Sequence, residues 1–242
     1  MMRFFEQFPE IFSVMSLRAD GTMRVWSDPQ RDRAAHENRK NFFALARIPS
    51  QAVYGVLPVH GTRVAMIEEQ SPQLIADTDA LVTTRKNIFL SVTAADCFVV
   101  LFYDPVAKIV GAAHVGWRGV VANIVVETIR ALCALGAHAE NLHVAIAPGI
   151  SQANFTFDYK EFIKHFGIYR QDKFVVPSRQ RGMVHVSLQG IIVQQLMENG
   201  ITKDRITSTA ECTYAHPEKY FSYRRDKPKD VEAMIVLIGM RE

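Results

Sequence analysis

The chain has 242 residues, 48% hydrophobic and 22% charged, a balance that supports a sizeable core and excludes intrinsic disorder. Its 28 Lys and Arg against 25 Asp and Glu leave a net charge of +3, too small and too dispersed to predict binding to nucleic acid. No apolar run approaches the roughly 20 residues of a bilayer span, and Glu6 and Glu10 interrupt any signal-peptide core, so a cytoplasmic location away from membranes is expected.

In chain order, a charged cluster from Asp28 to Lys40 leads into Phe42, Phe43 and Leu45 at helical spacing and predicts a surface helix. Between Ala52 and Val115, six runs rich in β-branched and aromatic residues predict strands: AVYGVL, RVAMI, ALVTT, IFLSVT, CFVVLFY and KIVGAAHV. The unbroken apolar run CFVVLFY predicts a central strand covered on both faces. After Gly116-Trp117-Arg118-Gly119, apolar residues from Val120 to Leu135 recur at steps near three and four, predicting one helix closed by Gly136. The strand LHVAIA follows, then a helix from about Leu188 to Leu196 stopped by Asn199-Gly200, then a buried final strand EAMIVLIGM. With no repeat and no linker, the pattern predicts one α/β domain over residues 1–242, a mixed α+β layered sandwich with a central mixed sheet flanked by helices.

Three cysteines, Cys97, Cys133 and Cys212, form no C-x-x-C pair, which argues against a disulfide framework. Cys133 in an amphipathic helix and Cys212 both read as core residues. His60, between two predicted strands, and His114, at the end of another, flank Cys97 at long separations. Two imidazoles and a thiol suit a borderline-soft divalent ion with a fourth position left open. The same residues suit a metal-free thiolate nucleophile at Cys97, with either histidine as base and Asp96 beside it. The Gly-Trp-Arg-Gly turn would present free backbone N–H groups and Arg118 to an anion, although no G-K-[ST] follows to make a phosphate loop. Phe221-Ser222-Tyr223-Arg224-Arg225-Asp226 could stack a base and hold an anion, or form a surface turn with an Arg–Asp pair. The other six histidines are assigned no role.

Five segments, VHGTRV, ALVTTRKNIFLSVTAADC, AAHVGWRG, IAPGISQANF and CTYAHPEKYFSYRRD, occur together and in order. In this the chain resembles the bacterial YfiH-like proteins, also called the multicopper polyphenol oxidoreductase, laccase-domain or peptidoglycan editing factor family, from about Asn38 to the last strand. The resemblance implies a layered α/β fold and a mononuclear site for Zn2+ or Cu2+ ligated by His60, Cys97 and His114. It also implies purine nucleoside chemistry: phosphorolysis of adenosine, inosine and 5′-methylthioadenosine, and deamination of adenosine. The expected partners are therefore a small-molecule nucleoside and phosphate, with Arg63, Arg118 and Arg225 as the cationic groups proposed to orient them. Copper-dependent polyphenol oxidation and a thiol hydrolase acting on peptidoglycan precursors stand as alternatives. A multicopper oxidase, however, needs several coppers and paired H-x-H ligands, which the sequence lacks. Pro58, Ala94 and Lys227 replace residues common in the family, none of them at the three ligand positions.

Overall fold

A computed structural model describes residues 1–28, 30–169 and 173–242. The chain runs through β1 (Met2–Arg3), β2 (Ile11–Met15), α1 (Arg33–Leu45), β3 (Val53–Leu57), β4 (Val64–Met66), β5 (Leu74–Ala76) and β6 (Ala80–Thr83). It continues through β7 (Phe89–Ala94), β8 (Phe98–Asp104), β9 (Ile109–Val115), α2 (Trp117–Val121), α3 (Ile124–Ala134) and β10 (His143–Ile146). Then come β11 (Thr156–Asp158), α4 (Tyr159–Phe166), β12 (Val175–Pro177), β13 (Met183–Val186), α5 (Leu188–Glu198), β14 (Ile206–Ser208), α6 (Tyr223–Asp226) and β15 (Met234–Met240).

The mixed α/β layered class expected from the sequence is present, with one difference: the expected central sheet is two. One six-stranded sheet has the order β1-β2-β15-β7-β3-β5 and the other β14-β10-β8-β9-β6-β4, while β11-β13-β12 form a small third sheet. Both large sheets mix parallel pairs, such as β3 with β7 and β4 with β6, with antiparallel ones, such as β15 with β7 and β8 with β9.

Strand periodicity explains the layering, because successive side chains on a strand face opposite sides. On β8, Val99, Leu101 and Tyr103 meet Leu90, Val92, Val236 and Ile238 of the opposing sheet, and so form the core between the sheets. The alternate residues Phe98, Val100 and Phe102 face the other way, onto Ile129 and Leu132 of α3 and Ile191, Ile192 and Leu196 of α5. On β15, Ile235 and Leu237 turn outward to Phe42 and Phe43 of α1. A strand that is apolar at every position is the signature of this two-sided burial, which accounts for the CFVVLFY run.

The predicted helix from Val120 to Leu135 is broken in two. Asn123 adopts a left-handed backbone (φ 66), which a short polar side chain tolerates, and separates α2 from α3. The buried Gln195 of α5 donates to both Val120 O and Asn123 Oδ1, occupying the break. Apolar spacing runs on through this interruption, so periodicity alone could not reveal it. Cys133 is exposed rather than in the core, one residue past Leu132, where the buried stripe of α3 ends.

Candidate metal centre and cleft

Two crossovers between the large sheets bring the chemistry together. His60 lies in the loop leaving β3 of one sheet for β4 of the other, and Cys97 in the connection from β7 to β8, which makes the same passage. His114 is the penultimate residue of β9. Both crossovers turn sharply: His60 (φ 61) and Asp96 (φ 82) have positive φ, a region that residues other than glycine seldom enter.

One ligand atom from each of His60, Cys97 and His114 lies within 4.8 Å of the other two. Cys97 Sγ is 4.0 Å from His60 Nε2, and the two imidazoles meet edge to face with centroids 4.9 Å apart. No fourth His, Cys, Asp or Glu joins the group among the described residues.

Asp79, absent from the sequence reading, organises two of the three. Fully buried ahead of β6, its carboxylate stands 3.1 Å from His114 Nδ1 and accepts from the backbone N–H of His60 (2.9 Å) and Gly61 (2.8 Å). Its own carbonyl accepts from His114 N at 2.7 Å. With Nδ1 engaged, His114 presents Nε2 to the site. This carboxylate–histidine arrangement typically fixes the tautomer and ring orientation of a metal-binding imidazole. Burial opposes ionisation of Asp79, but the bonds from His114 and the Gly61 backbone prevail and hold its carboxyl below the ordinary range.

Burial likewise pushes the Cys97 thiol up, yet the charge on His114 and the hydrogen bonds of both histidines outweigh it and bring the group down to about 6. His114 responds in the opposite sense: burial disfavours its charge, while Cys97 and Asp79 raise it to about 9. The pair therefore favours a thiolate near neutral pH, the form that coordinates metal.

Gly116 completes the cradle. A Cβ there would stand 2.8 Å from His60 Cδ2 and 2.9 Å from Cys97 Sγ, so only glycine leaves the space between the donors free. The donor set, the thiolate bias, the histidine orientation and this cradle all suit a zinc- or copper-type ion.

The three donors line a cleft of about 490 Å³, within the usual range of small-molecule sites. Trp26, Trp117, Phe155 and Tyr223 supply aromatic surface, and Arg24, Arg118 and Arg224 supply positive charge. Asp96 anchors one wall, accepting from Thr213 Oγ1 (2.6 Å), Ser222 Oγ (3.0 Å) and Arg224 N (2.7 Å).

The family described as multi-copper polyphenol oxidoreductase laccase matches residues 25–241. The chain belongs to that laccase family. Among its relatives, the purine nucleoside phosphorylase YlmD of Bacillus subtilis is 31% identical over 166 residues, 68% of this chain and 59% of that protein. The purine nucleoside phosphorylase RC0672 of Rickettsia conorii is 33% identical over 192 residues, 78% of this chain and 76% of that one. The crystal structure of the hypothetical protein YfiH of Bacillus licheniformis superposes with a TM-score of 0.88 at 24% identity, covering 98% of this chain and 95% of that one. YlmD of Geobacillus stearothermophilus gives 0.87 at 22% identity, covering 98% and 94%. These likenesses bear out the YfiH-like fold.

Within this laccase-family chain, the three arginines expected from the sequence part company. Arg118 lines the cleft with its guanidinium 4.3 Å from the Trp117 ring centroid. Arg63 is exposed off the cleft, donating to Ala76 O at 3.4 Å. Arg225 also lies off the cleft, where it donates to Thr213 O, Tyr214 O and Tyr220 O and pairs with Asp226 at 2.7 Å. All its donors are directed to the Cys212–Asp226 segment, which they close. The neighbouring Tyr223 and Arg224 reach the cleft instead. Cys212 is buried as expected, its sulfur accepting from Ser151 N at 3.1 Å. No helix among the described residues is long and apolar enough to cross a membrane.

Proposed function

We propose that the chain is a metal-dependent purine nucleoside phosphorylase, with His60, Cys97 and His114 as ligands of one zinc or copper ion and as the catalytic centre. The observation that carries this reading is the placement of the three-donor group in an aromatic, arginine-lined cleft, in a chain whose relatives are named purine nucleoside phosphorylases. A three-donor set with an open position is the pattern of catalytic rather than structural sites. When bound, the ion would supply Lewis-acid polarisation of substrate.

The protein's own residues do the rest. The aromatic surface of Trp117, Phe155 and Tyr223 suits a purine, and the guanidinium groups attract phosphate. In the reaction, a phosphate oxygen bonds to ribose C1′ as the C1′–N9 bond breaks, and the purine leaves with the bonding pair and takes up a proton. Holding both reactants in one cleft removes much of the entropic barrier to their encounter. Adenosine deamination fits the same cleft, with water adding at C6 and ammonia leaving.

The test is a panel of inosine, adenosine and 5′-methylthioadenosine, each with and without phosphate. Phosphate-dependent release of free base, abolished in Cys97→Ala, is expected. Undiminished cleavage in a metal-free Cys97→Ala protein contradicts the assignment. Oxygen uptake with a phenol would mark polyphenol oxidation instead. The single three-donor cluster among the described residues does not favour that chemistry, which needs several coppers.

A further inference from the structure

Arg24 belongs to no motif, yet it is the cationic side chain of the cleft whose environment is least complete. Its guanidinium lies over the Trp26 indole, 4.4 Å from the ring centroid, and Arg31 packs on the same indole at 4.0 Å. The neighbouring charges all have other partners. Arg31 pairs with Asp230, and Arg39 donates through Nε to Met23 O at 2.7 Å. Asp32 spends its carboxylate on the backbone N–H of Trp26 (2.8 and 2.9 Å) and Asp28 (3.0 Å). Arg24 is left with a buried Nε that has no hydrogen-bond partner, and with no ion pair among the described residues.

We propose that Arg24, held over the Trp26 indole, is an oxyanion subsite of the cleft that takes the phosphate group of a substrate. The Nε–H is enclosed without an acceptor, while the terminal Nη groups, which have no hydrogen-bond partner among the described residues, are the donors that an oxygen entering the cleft meets. The planar guanidinium fork matches phosphate geometry bidentately, and stacking on the indole fixes its orientation before the ligand arrives. Burial and the adjacent Arg31 disfavour the charge on Arg24 and outweigh the support it receives from Cys97 and Asp32, neither of which pairs with it directly. Phosphate comes in two chemical forms, inorganic phosphate or the ester of a nucleotide, and phosphorolysis would use the first. The proposal rests on the phosphorylase reading only for that choice of form.

The experiment is equilibrium dialysis of the full-length, metal-loaded protein against labelled inorganic phosphate and, separately, a nucleoside 5′-monophosphate. Wild type is compared with Arg24→Gln, Arg24→Lys and Arg118→Gln, and melting curves confirm folding. Arg24→Gln is expected to weaken phosphate binding by about tenfold or more, the size of a lost charge-assisted bond. Arg24→Lys, which keeps the charge without the fork, should lose at least about threefold, and inosine binding without phosphate should be unchanged. Tighter binding of the monophosphate than of phosphate, with the same Arg24 dependence, identifies the ester as ligand. Wild-type affinity in folded Arg24→Gln, or in Arg24→Lys where Gln does not fold, overturns the proposal. So does a wild-type protein that binds neither ligand, or a loss confined to Arg118→Gln. Arg24-dependent phosphate binding without nucleoside cleavage would retain the subsite and discard the phosphorylase reading. Cleavage with an unchanged KM for phosphate in Arg24→Gln would do the reverse.

Discussion

Replacing Gly116 with alanine separates the metal cradle from the surrounding fold more cleanly than replacing a ligand does. The backbone there is extended (φ −82, ψ 173), a conformation alanine adopts freely, so the substitution introduces no backbone strain. What it introduces is a methyl group 2.8 Å from His60 Cδ2 and 2.9 Å from Cys97 Sγ. Ordinary contacts between such atoms are about 3.5–4.0 Å, so relief requires donor movements of roughly 0.6–1.2 Å. Metal sites hold their distances to about ±0.2 Å, several times less than that movement. The affinity for zinc should therefore fall by about 10–100-fold, or roughly 1.4–2.7 kcal/mol. The stability of the metal-free protein should fall by about 1–3 kcal/mol, the usual cost of overpacking. Competition against a chromogenic chelator measures the first, and denaturant melts in excess chelator measure the second. Wild-type zinc affinity in Gly116→Ala would refute the inference that the space between His60 and Cys97 is where an ion sits.

Asp79→Asn keeps the shape of the side chain but replaces an acceptor-only group, and chelator competition should show zinc affinity reduced about 10–100-fold. Cys97 should be alkylated by iodoacetamide with a midpoint near pH 6 in chelator-treated protein. The thiolate is the reactive form, so the rate rises with pH to a plateau above that value and falls about tenfold per unit below it. Mass spectrometry reads the profile, and a midpoint near the ordinary thiol value of 9.0 would remove the histidines' influence. Arg225→Ala strips donors from three carbonyls and should destabilise the fold by roughly 2–3 kcal/mol in urea melts while leaving zinc affinity intact. A loss of affinity without loss of stability would return Arg225 to the site.

Much of this architecture could be read in the chain because it rests on local pattern. Strand residues alternating between two buried layers leave the continuous apolar runs of β8 and β15, and Gly136 and Asn199-Gly200 mark helix ends. The partition of those strands into two facing sheets depends on pairings far apart in sequence, such as β15 between β2 and β7, which periodicity does not encode. His60, Cys97 and His114 stood out because soft donors beside glycine-rich turns and strand ends are unusual. Asp79 did not, since an Asp before an apolar strand reads as a turn residue. The available signal was its position directly ahead of ALVTT, where a carboxylate is carried into a buried layer. Arg24 and Trp26 lie ahead of Asn38, outside the recognised segments, and join the cleft only through tertiary packing. Arg225 and Arg224 are adjacent in sequence yet face different surroundings, a distinction that composition cannot make.

The central claim, that three distant side chains grip one ion, is tested most directly by metal analysis of protein purified without added metal, joined to X-ray absorption at the metal edge. One ion per chain, bonded to one sulfur at about 2.3 Å and two imidazole nitrogens at about 2.0–2.1 Å and lost in Cys97→Ser, is the predicted result. An ion with no sulfur neighbour, or full occupancy retained in Cys97→Ser, would contradict it.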